Sequence, residues 1–335
     1  MYINTWSYMH WKIPKIHPEK VATDLREHYS TVQQVISDKM PFPSVDAEGN
    51  FTKPMDFTKL DDYMASLPGT KMWLLWTQFD QDHRSMYPKE GDARRTKIMT
   101  RWLKDVIAHM KKKGIGYDEF AIKWVDEPSV KEMREIVKPS CELLRSIDPK
   151  VLIWANITGN NTEDTVAELE GVIDIWCPSS KKLGWDFWKG KRVWIYDSAS
   201  NKTQSPTGHY RYKLWTAFHH GCEGEGFWVY TDNLDSWNDY ARVPTWGVIY
   251  EDPDDVLSSK RWDAYRAGIE DYEVCKMLND AVAAAKAAGK GESPEIIAAA
   301  KALEEWVQRV LDNKGDTVVA ERAHQALLQH LVKLK

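Results

Sequence analysis

The chain has 335 residues, 43% of them hydrophobic, with a formal charge of −5 and four cysteines. That length can enclose a large core and suits one α/β barrel, which takes about 250 residues before insertions. The mild acidity gives no reason to expect nucleic acid or an anionic membrane as partner, and no run approaches the ~20 apolar residues that span a bilayer.

The chain opens on "MYINTWSYMHWKIP", which lacks the basic start and apolar core of a signal peptide. It reads as a strand from Tyr2 to Tyr8. A chain cut at a domain edge is expected, so export and a cytoplasmic location both stay open. Further apolar runs follow at Val32–Ile36, Lys71–Thr77, Glu119–Val125, Val151–Asn156, Val172–Trp176, Arg192–Tyr196 and Gly226–Tyr230. Between them, helical patterns fall at Pro18–Tyr29, Phe57–Ser66, Asp92–Lys113, Val130–Ser146, Thr162–Glu170 and Gly208–His220, with a single turn over Lys182–Lys191 and a crossover helix over Ser258–Leu278. Gly114 and Gly116 stop a helix before the fourth strand, and Asp148-Pro149 does so before the fifth. The loop Pro41–Pro54 is too long for a mere connector and is expected to overhang one mouth.

Strands that alternate with helices predict parallel βαβ units. Eight such units predict a (β/α)8 TIM barrel, and no glycine-rich phosphate loop follows any strand. The division expected is a barrel over residues 1–280 and a helical extension over 281–335, where an alanine-rich stretch holds two helices, one starting at Ser293-Pro294-Glu295.

Cys141, Cys177, Cys222 and Cys275 are far apart and show no metal-ligand spacing, so buried free thiols and no metal or other cofactor are expected. His219 and His220 read as structural. Seventeen tryptophans and fourteen tyrosines fit either a large aromatic core or sugar binding, since the C–H face of a pyranose lies flat on an aromatic ring. Position decides: an aromatic counts when it stands at the functional end of a strand.

The segment Phe120–Ser129, "FAIKWVDEPS", ends an apolar run in two adjacent carboxylates, Asp126 and Glu127. The carboxyl ends of the strands carry the chemistry of such barrels. Period-two alternation turns Phe120, Ile122 and Trp124 outward, and Lys123, Val125 and Glu127 inward. Asp126 joins Glu127 only if the backbone leaves the strand, and Pro128 is the expected cause. The pair also suits the acidic start of the next helix. Spacing alone leaves both readings open.

"WVDEPS" together with "SSKRWDAYRAGIEDYEVCKML" resembles glycoside hydrolase family 123, the β-N-acetylgalactosaminidases. The second motif, with Arg261 and Arg266-Ala267-Gly268-Ile269-Glu270-Asp271-Tyr272-Glu273, is the more specific. The likeness runs from residue 1 to about 280. That family usually carries a β-sandwich before the barrel, and this sequence has none. The resemblance implies an exo-acting, retaining, substrate-assisted hydrolase of glycans with a terminal β-N-acetylgalactosamine. The sugar's own 2-acetamido oxygen attacks the anomeric carbon, so these enzymes are exceptions to the two-carboxylate rule. Glu127 matches the general acid, and Asp126 the partner that orients the acetamide N–H. An acid with this task must keep its proton near neutral pH, and a neighbouring carboxylate in an aromatic pocket favours that.

Other strand ends supply substrate-binding candidates. Asn156 suits sugar hydroxyls or a turn. Tyr196 suits the acetamide oxygen, and Asp197 suits a loop contact. Trp228 and Tyr230 are expected on one face, followed by Asp232, with Trp237 in the loop beyond. Trp76, Gln78, His10 and Trp11 are weaker. In the tail motif, Arg266, Glu270 and Glu273 suit ion pairing on one helix face, and Asp271 and Tyr272 suit docking that helix on the barrel. Three rival readings remain: a hexosaminidase preferring the gluco epimer or a related glycosidase, a non-catalytic sugar-binding barrel, and a two-carboxylate enzyme with Asp197 or Asp232 as nucleophile. Oligomeric state is not legible.

Overall fold

The computed structural model describes residues 1–77, 79, 88, 91–157, 162–179, 184–232 and 246–334, the side chain of Ser37 excepted. Strand β1 (Tyr2–Asn4) is followed by α1 (Lys12–Ile16) and α2 (Pro18–Glu27), then β2 (Val32–Val35), α3 (Thr58–Ser66) and β3 (Met72–Trp76). Next come α4 (Ala93–Lys112), whose first turn Asp92 caps by accepting from the Arg94 N–H, and β4 (Phe120–Lys123). Helix α5 (Val130–Glu132) runs through a π-helical stretch, Met133–Val137, into α6 (Lys138–Ile147). Pro139 stands at its start and has no N–H for the regular ladder, which suits a wider turn just before it. The order continues with β5 (Leu152–Ile157), α7 (Glu163–Ala167), β6 (Ile175–Pro178), β7 (Trp194–Asp197), α8 (Tyr212–His219) and β8 (Gly224–Phe227).

These eight strands lie in the order β6-β5-β4-β3-β2-β1-β8-β7. Every pairing in that sheet is parallel. Parallel bridges at Trp176–Val193 and Ser179–Tyr196 bring the two ends together and complete a (β/α)8 barrel.

Alternation along the strands divides the core in two. The lumen holds Val32, Met72, Leu74, Ala121, Trp154, Ile175, Cys177, Trp194 and Tyr196, with Trp6 and Val229 from the loops. The outer layer sets Val35, Leu75, Ile122, Ile153, Ile195 and Phe227 against helix residues such as Leu25, Trp102, Leu144, Leu214 and Trp262. Full burial of one such side chain is worth about 1.5–3 kcal/mol. Strand β8 contributes almost nothing to the lumen. A Cβ on Gly224 would come within 2.5 Å of the Trp194 ring, and one on Gly226 within 2.3 Å of the Asn4 carbonyl and 2.9 Å of Trp6. Large indoles fill the barrel because these two positions are empty.

After β8 the chain forms a hairpin absent from the sequence reading, β9 (Ile249–Glu251) against β10 (Val256–Ser258). Its turn is the "EDPDD" run, where Asp252 accepts from the backbone N–H groups of Asp254 and Asp255. Helix α9 (Lys260–Ala287) is longer than expected and passes residue 280 without a break. Helices α10 (Pro294–Asp312) and α11 (Thr317–Lys333) pack on α8 and α9 around Trp215, Cys275, Leu278, Leu303 and Leu327. The junction is locked by Asp271, which accepts from Arg211 at 2.6 and 3.0 Å, from the Trp215 indole at 2.8 Å and meets His324 at 2.8 Å. The Tyr272 hydroxyl donates to the Cys222 carbonyl at 2.9 Å. Asp271 and Tyr272 of the tail motif therefore dock this helix, the task expected of them. All four cysteines are free and buried. Among the described residues no helix is long and apolar enough to cross a membrane.

Candidate active site

Strand β4 stops at Lys123, three residues before the acidic pair. Lys123 points into the lumen as alternation predicts, and its side chain is fully buried. Val125 does not keep the inward row. It packs with Trp124 in the outer layer, so the chain has left the strand before Pro128 can act. Glu127 then takes φ = +47°, a left-handed conformation that costs a non-glycine residue about 1–3 kcal/mol. A residue before proline is pushed toward extended backbone; here it has left the right-handed region for the left-handed one instead.

The helix start does not explain the pair. Ser129 caps α5, its Oγ accepting from the Glu132 N–H while Glu132 accepts from the Ser129 N–H. Capping is complete without Asp126 or Glu127.

What holds the pair is the neighbouring strand and the lumen. Asp126 Oδ1 receives Lys123 Nζ at 2.6 Å and Asn156 Nδ2 at 2.7 Å. Asn156, on β5, turns its own Oδ1 to the Glu127 N–H at 3.4 Å. One amide thus spans both acidic residues, so Asn156 is found braced against the pair rather than open to a hydroxyl. The Asp126 side chain is 31% exposed, and Glu127 is exposed. The Lys123 ammonium lies 3.9 Å from the centroid of Trp76, 5.3 Å from Trp154 and 5.7 Å from Trp6, and donates to Gln34 at 3.2 Å. Three indole faces and two oxygens stand in for its lost water.

Around the mouth the rings form a wall. Trp6, itself at φ = +45°, meets Tyr196 at 4.6 Å. Tyr8 meets Trp11 at 4.5 Å, and Trp228 packs on Trp11 and on Trp246 at 6.4 and 5.3 Å. Burial pushes the Tyr196 phenol far above its ordinary value, and the charges of Glu127 and Asp126 push it the same way. Tyr8 is raised too, by burial first and by Asp126 next, with a hydrogen bond from Trp228 working against them. Both tyrosines therefore stay neutral donors next to the acid pair.

The remaining candidates divide. Tyr230 does not share the Trp228 face. Its hydroxyl donates to Asp24 at 2.8 Å and its ring packs on Trp262, on the outer side of the barrel. Regular strand ends at Phe227, so alternation no longer sets the face at residue 230. Asp197 also faces outward, accepting from the Ala199 N–H at 2.6 Å and lying 3.6 Å from both Lys213 and His209. It holds a loop and does not face Glu127 across the mouth. Asp232 accepts from the Trp246 N–H at 3.2 Å. His10 sits on the rim, its ring against Tyr8 and Trp11. Trp237 and Gln78 lie outside the described residues.

Sequence reasoning assigned no site role to Lys123, Gln34, Tyr8 or Trp246. A charged residue inside the apolar run "FAIKWV" was the available signal for Lys123, because a buried lysine demands a partner. A cavity of about 720 Å³ also opens at the opposite end of the strands, between Trp185, Arg192, His220 and Glu223. Among the described residues no cluster could hold a metal ion.

The sequence matches the family described as glycoside hydrolase 123, catalytic domain, over residues 3–278. No curated protein matches. Similar solved structures include the endo-1,4-β-mannanase of Rhizomucor miehei, 12% identical over 68% of this chain and 85% of that one, TM-score 0.43. The intracellular xylanase TsXylA of Thermoanaerobacterium saccharolyticum is 14% identical over 78% and 94%, TM-score 0.45. The β-galactosidase of Marinomonas ef1 is 13% identical over 86% and 60%, TM-score 0.47.

Proposed function

This chain belongs to the glycoside hydrolase 123 family through its catalytic domain, and we propose that it is a retaining exo-β-N-acetylgalactosaminidase that works by substrate-assisted hydrolysis. The observation that carries the reading is the unequal treatment of two neighbouring carboxylates. Asp126 is fixed by two donors on Oδ1, while Glu127 stands exposed beside it on a left-handed residue.

With Oδ1 occupied, Oδ2 of Asp126 is the atom left for the N–H of a 2-acetamido group. The acetamide is then held so that its carbonyl oxygen points at the anomeric carbon. Glu127 gives its proton to the glycosidic oxygen as the acetamide oxygen attacks the anomeric carbon. The glycosidic bond breaks, the aglycone leaves as an alcohol, and an oxazolinium remains with its positive charge beside Asp126. Water then attacks the anomeric carbon from the vacated side and returns a proton to Glu127. The ring opens, and the sugar leaves with retained configuration. Acid–base help of this kind is worth about 10²–10⁴ in rate, and fixing the internal nucleophile adds several kcal/mol. Tyr196 and Tyr8, both neutral phenols near the pair, can donate to the acetamide oxygen, and the ring of Trp228 offers a surface for the pyranose.

The outward position of Asp197 speaks against its serving as a protein nucleophile, since a retaining pair must sit about 5–5.5 Å apart across the sugar. The test is hydrolysis of nitrophenyl N-acetyl-β-galactosaminide beside the gluco epimer, with an oxazoline-mimicking thiazoline as inhibitor. Turnover with preference for the galacto epimer and tight thiazoline binding are expected. A glycosyl ester trapped on any side chain would refute the mechanism, and turnover that favours the gluco epimer would refute the specificity.

A further inference from the structure

The lumen lysine does more than fill space. We propose that Lys123 is the positioning residue of the acetamide pocket, fixing at once the group that would meet the acetamide N–H and the ring that backs the group meeting its carbonyl. This rests on the substrate-assisted reading above.

The ammonium has two kinds of neighbour. On its polar side it holds Asp126 Oδ1 at 2.6 Å and Gln34 Oε1 at 3.2 Å. Its other sides are closed by the rings of Trp76, Trp154 and Trp6. These partners come from five places in the chain: β2, β3, β5, the loop after β1 and the loop after β4. The parallel ladder sets Trp76 and Trp154 level with Lys123 on the two flanking strands, whereas Gln34, Trp6 and Asp126 meet it through side chains alone. A desolvated cation attracts all of them, and an apolar side chain of similar length would donate to neither oxygen.

Two arms lead from it to the substrate. The first runs through Asp126, whose Oδ2 is left for the acetamide N–H. The second runs through Trp6, which touches the lysine on one side and the Tyr196 ring at 4.6 Å on the other. Tyr196 is the donor placed to meet the acetamide oxygen. The two ends of one small group are therefore set from one buried charge. Such an arrangement acts on attack geometry, and a displacement of about 1 Å in a reacting group is worth about 10²-fold in rate. Lys123 touches neither substrate nor reacting atoms.

The experiment is a double-mutant cycle on the 2-acetamido substrate. Lys123→Met keeps an unbranched side chain of similar length without the charge. It should lower kcat about 10²-fold with KM little changed, and it should weaken thiazoline binding in parallel. Adding Lys123→Met to Asp126→Asn should cost clearly less than the product of the two single losses, the remaining loss being that of the arm through Trp6 and Tyr196, because residues acting through one another are not additive. Wild-type kcat in Lys123→Met, or two losses that multiply in the double variant, would overturn the proposal. If Lys123→Met does not fold, judged by circular dichroism, Lys123→Leu, which also lacks any donor, replaces it and the same two outcomes decide. Wild type and Glu127→Gln are assayed alongside. Wild type that ignores the thiazoline removes the substrate-assisted reading, whereas an inhibited wild type with an unaffected Lys123→Met removes only the role of Lys123.

Discussion

Asp271 and Asp126 each meet a cation in the interior of this protein, and they are held in opposite ways. Asp271 is wholly buried, and both its oxygens are used: Oδ2 by Arg211 Nε and the Trp215 indole, Oδ1 by Arg211 Nη2 and His324. Asp126 keeps 31% of its side chain exposed and takes both donors on one oxygen. The first carboxylate has no capacity left and ties three helices together. The second is anchored through Oδ1 alone, and among the described residues no hydrogen bond reaches its Oδ2. A carboxylate that is anchored and unsaturated is fit for binding something that comes and goes; a saturated one is fit only for holding the fold.

Breaking each side of that contrast should give different signatures. Glu127→Gln, beside the open carboxylate, should lower kcat on a poor leaving group by about 10²–10⁴ with little change in unfolding free energy. A variant that retains wild-type kcat would remove Glu127 from the acid role. Asp271→Ala should do the reverse. Breaking a buried pair costs about 3–5 kcal/mol of stability, read by urea unfolding, while kcat per folded molecule stays as in wild type.

Glu225 is a third case, and it sharpens the comparison. It is buried on β8 with Tyr265 as a hydrogen-bond donor and Lys213 at 3.9 Å. Burial raises its carboxyl to about 7, against the pull of Lys213 and Tyr265, with Asp197 adding to the rise. The folded state then binds a proton that the unfolded chain releases, so stability falls as pH rises from about 4.5 toward 7 and is lowest above it. Glu225→Gln should flatten that slope and gain up to roughly 3 kcal/mol above pH 7. Urea titrations of both proteins at pH 5 and pH 8 measure it, and parallel slopes would show that Glu225 titrates normally. The smallest effect belongs to Asn156→Ala. Losing one hydrogen bond to a charged group is worth about 1.5–3 kcal/mol, so kcat should drop roughly tenfold to a hundredfold and thiazoline affinity should fall with it.

The parts of this molecule that were legible in its sequence are those governed by local period. Eight apolar runs alternating with helical ones were enough for the barrel, and the inward turn of Lys123 followed from counting in twos along β4. Counting failed where strand gave way to loop. Val125 and Tyr230 were assigned faces by a rule that had already lapsed at Lys123 and Phe227. Asn156, read as a binder of sugar hydroxyls or a turn residue, instead braces the acid pair, which stands past the end of the neighbouring strand. The cage around Lys123 was out of reach too. Gln34, Trp76 and Trp154 stand on β2, β3 and β5, the strands around β4, but which residue of each lies level with Lys123 is a matter of register, which the order of residues does not state.

The two bare positions of β8 carry a consequence for how this barrel could change. Trp6 leans over Gly226, and the same indole touches Lys123 and Tyr196. A single methyl at residue 226 would press first on the Asn4 carbonyl and then on that indole, and the shove would travel through the indole to Lys123 and Tyr196. The strand with the least substance therefore sets the tolerance of the whole enzyme, and its vacancy is an architectural keystone made of nothing.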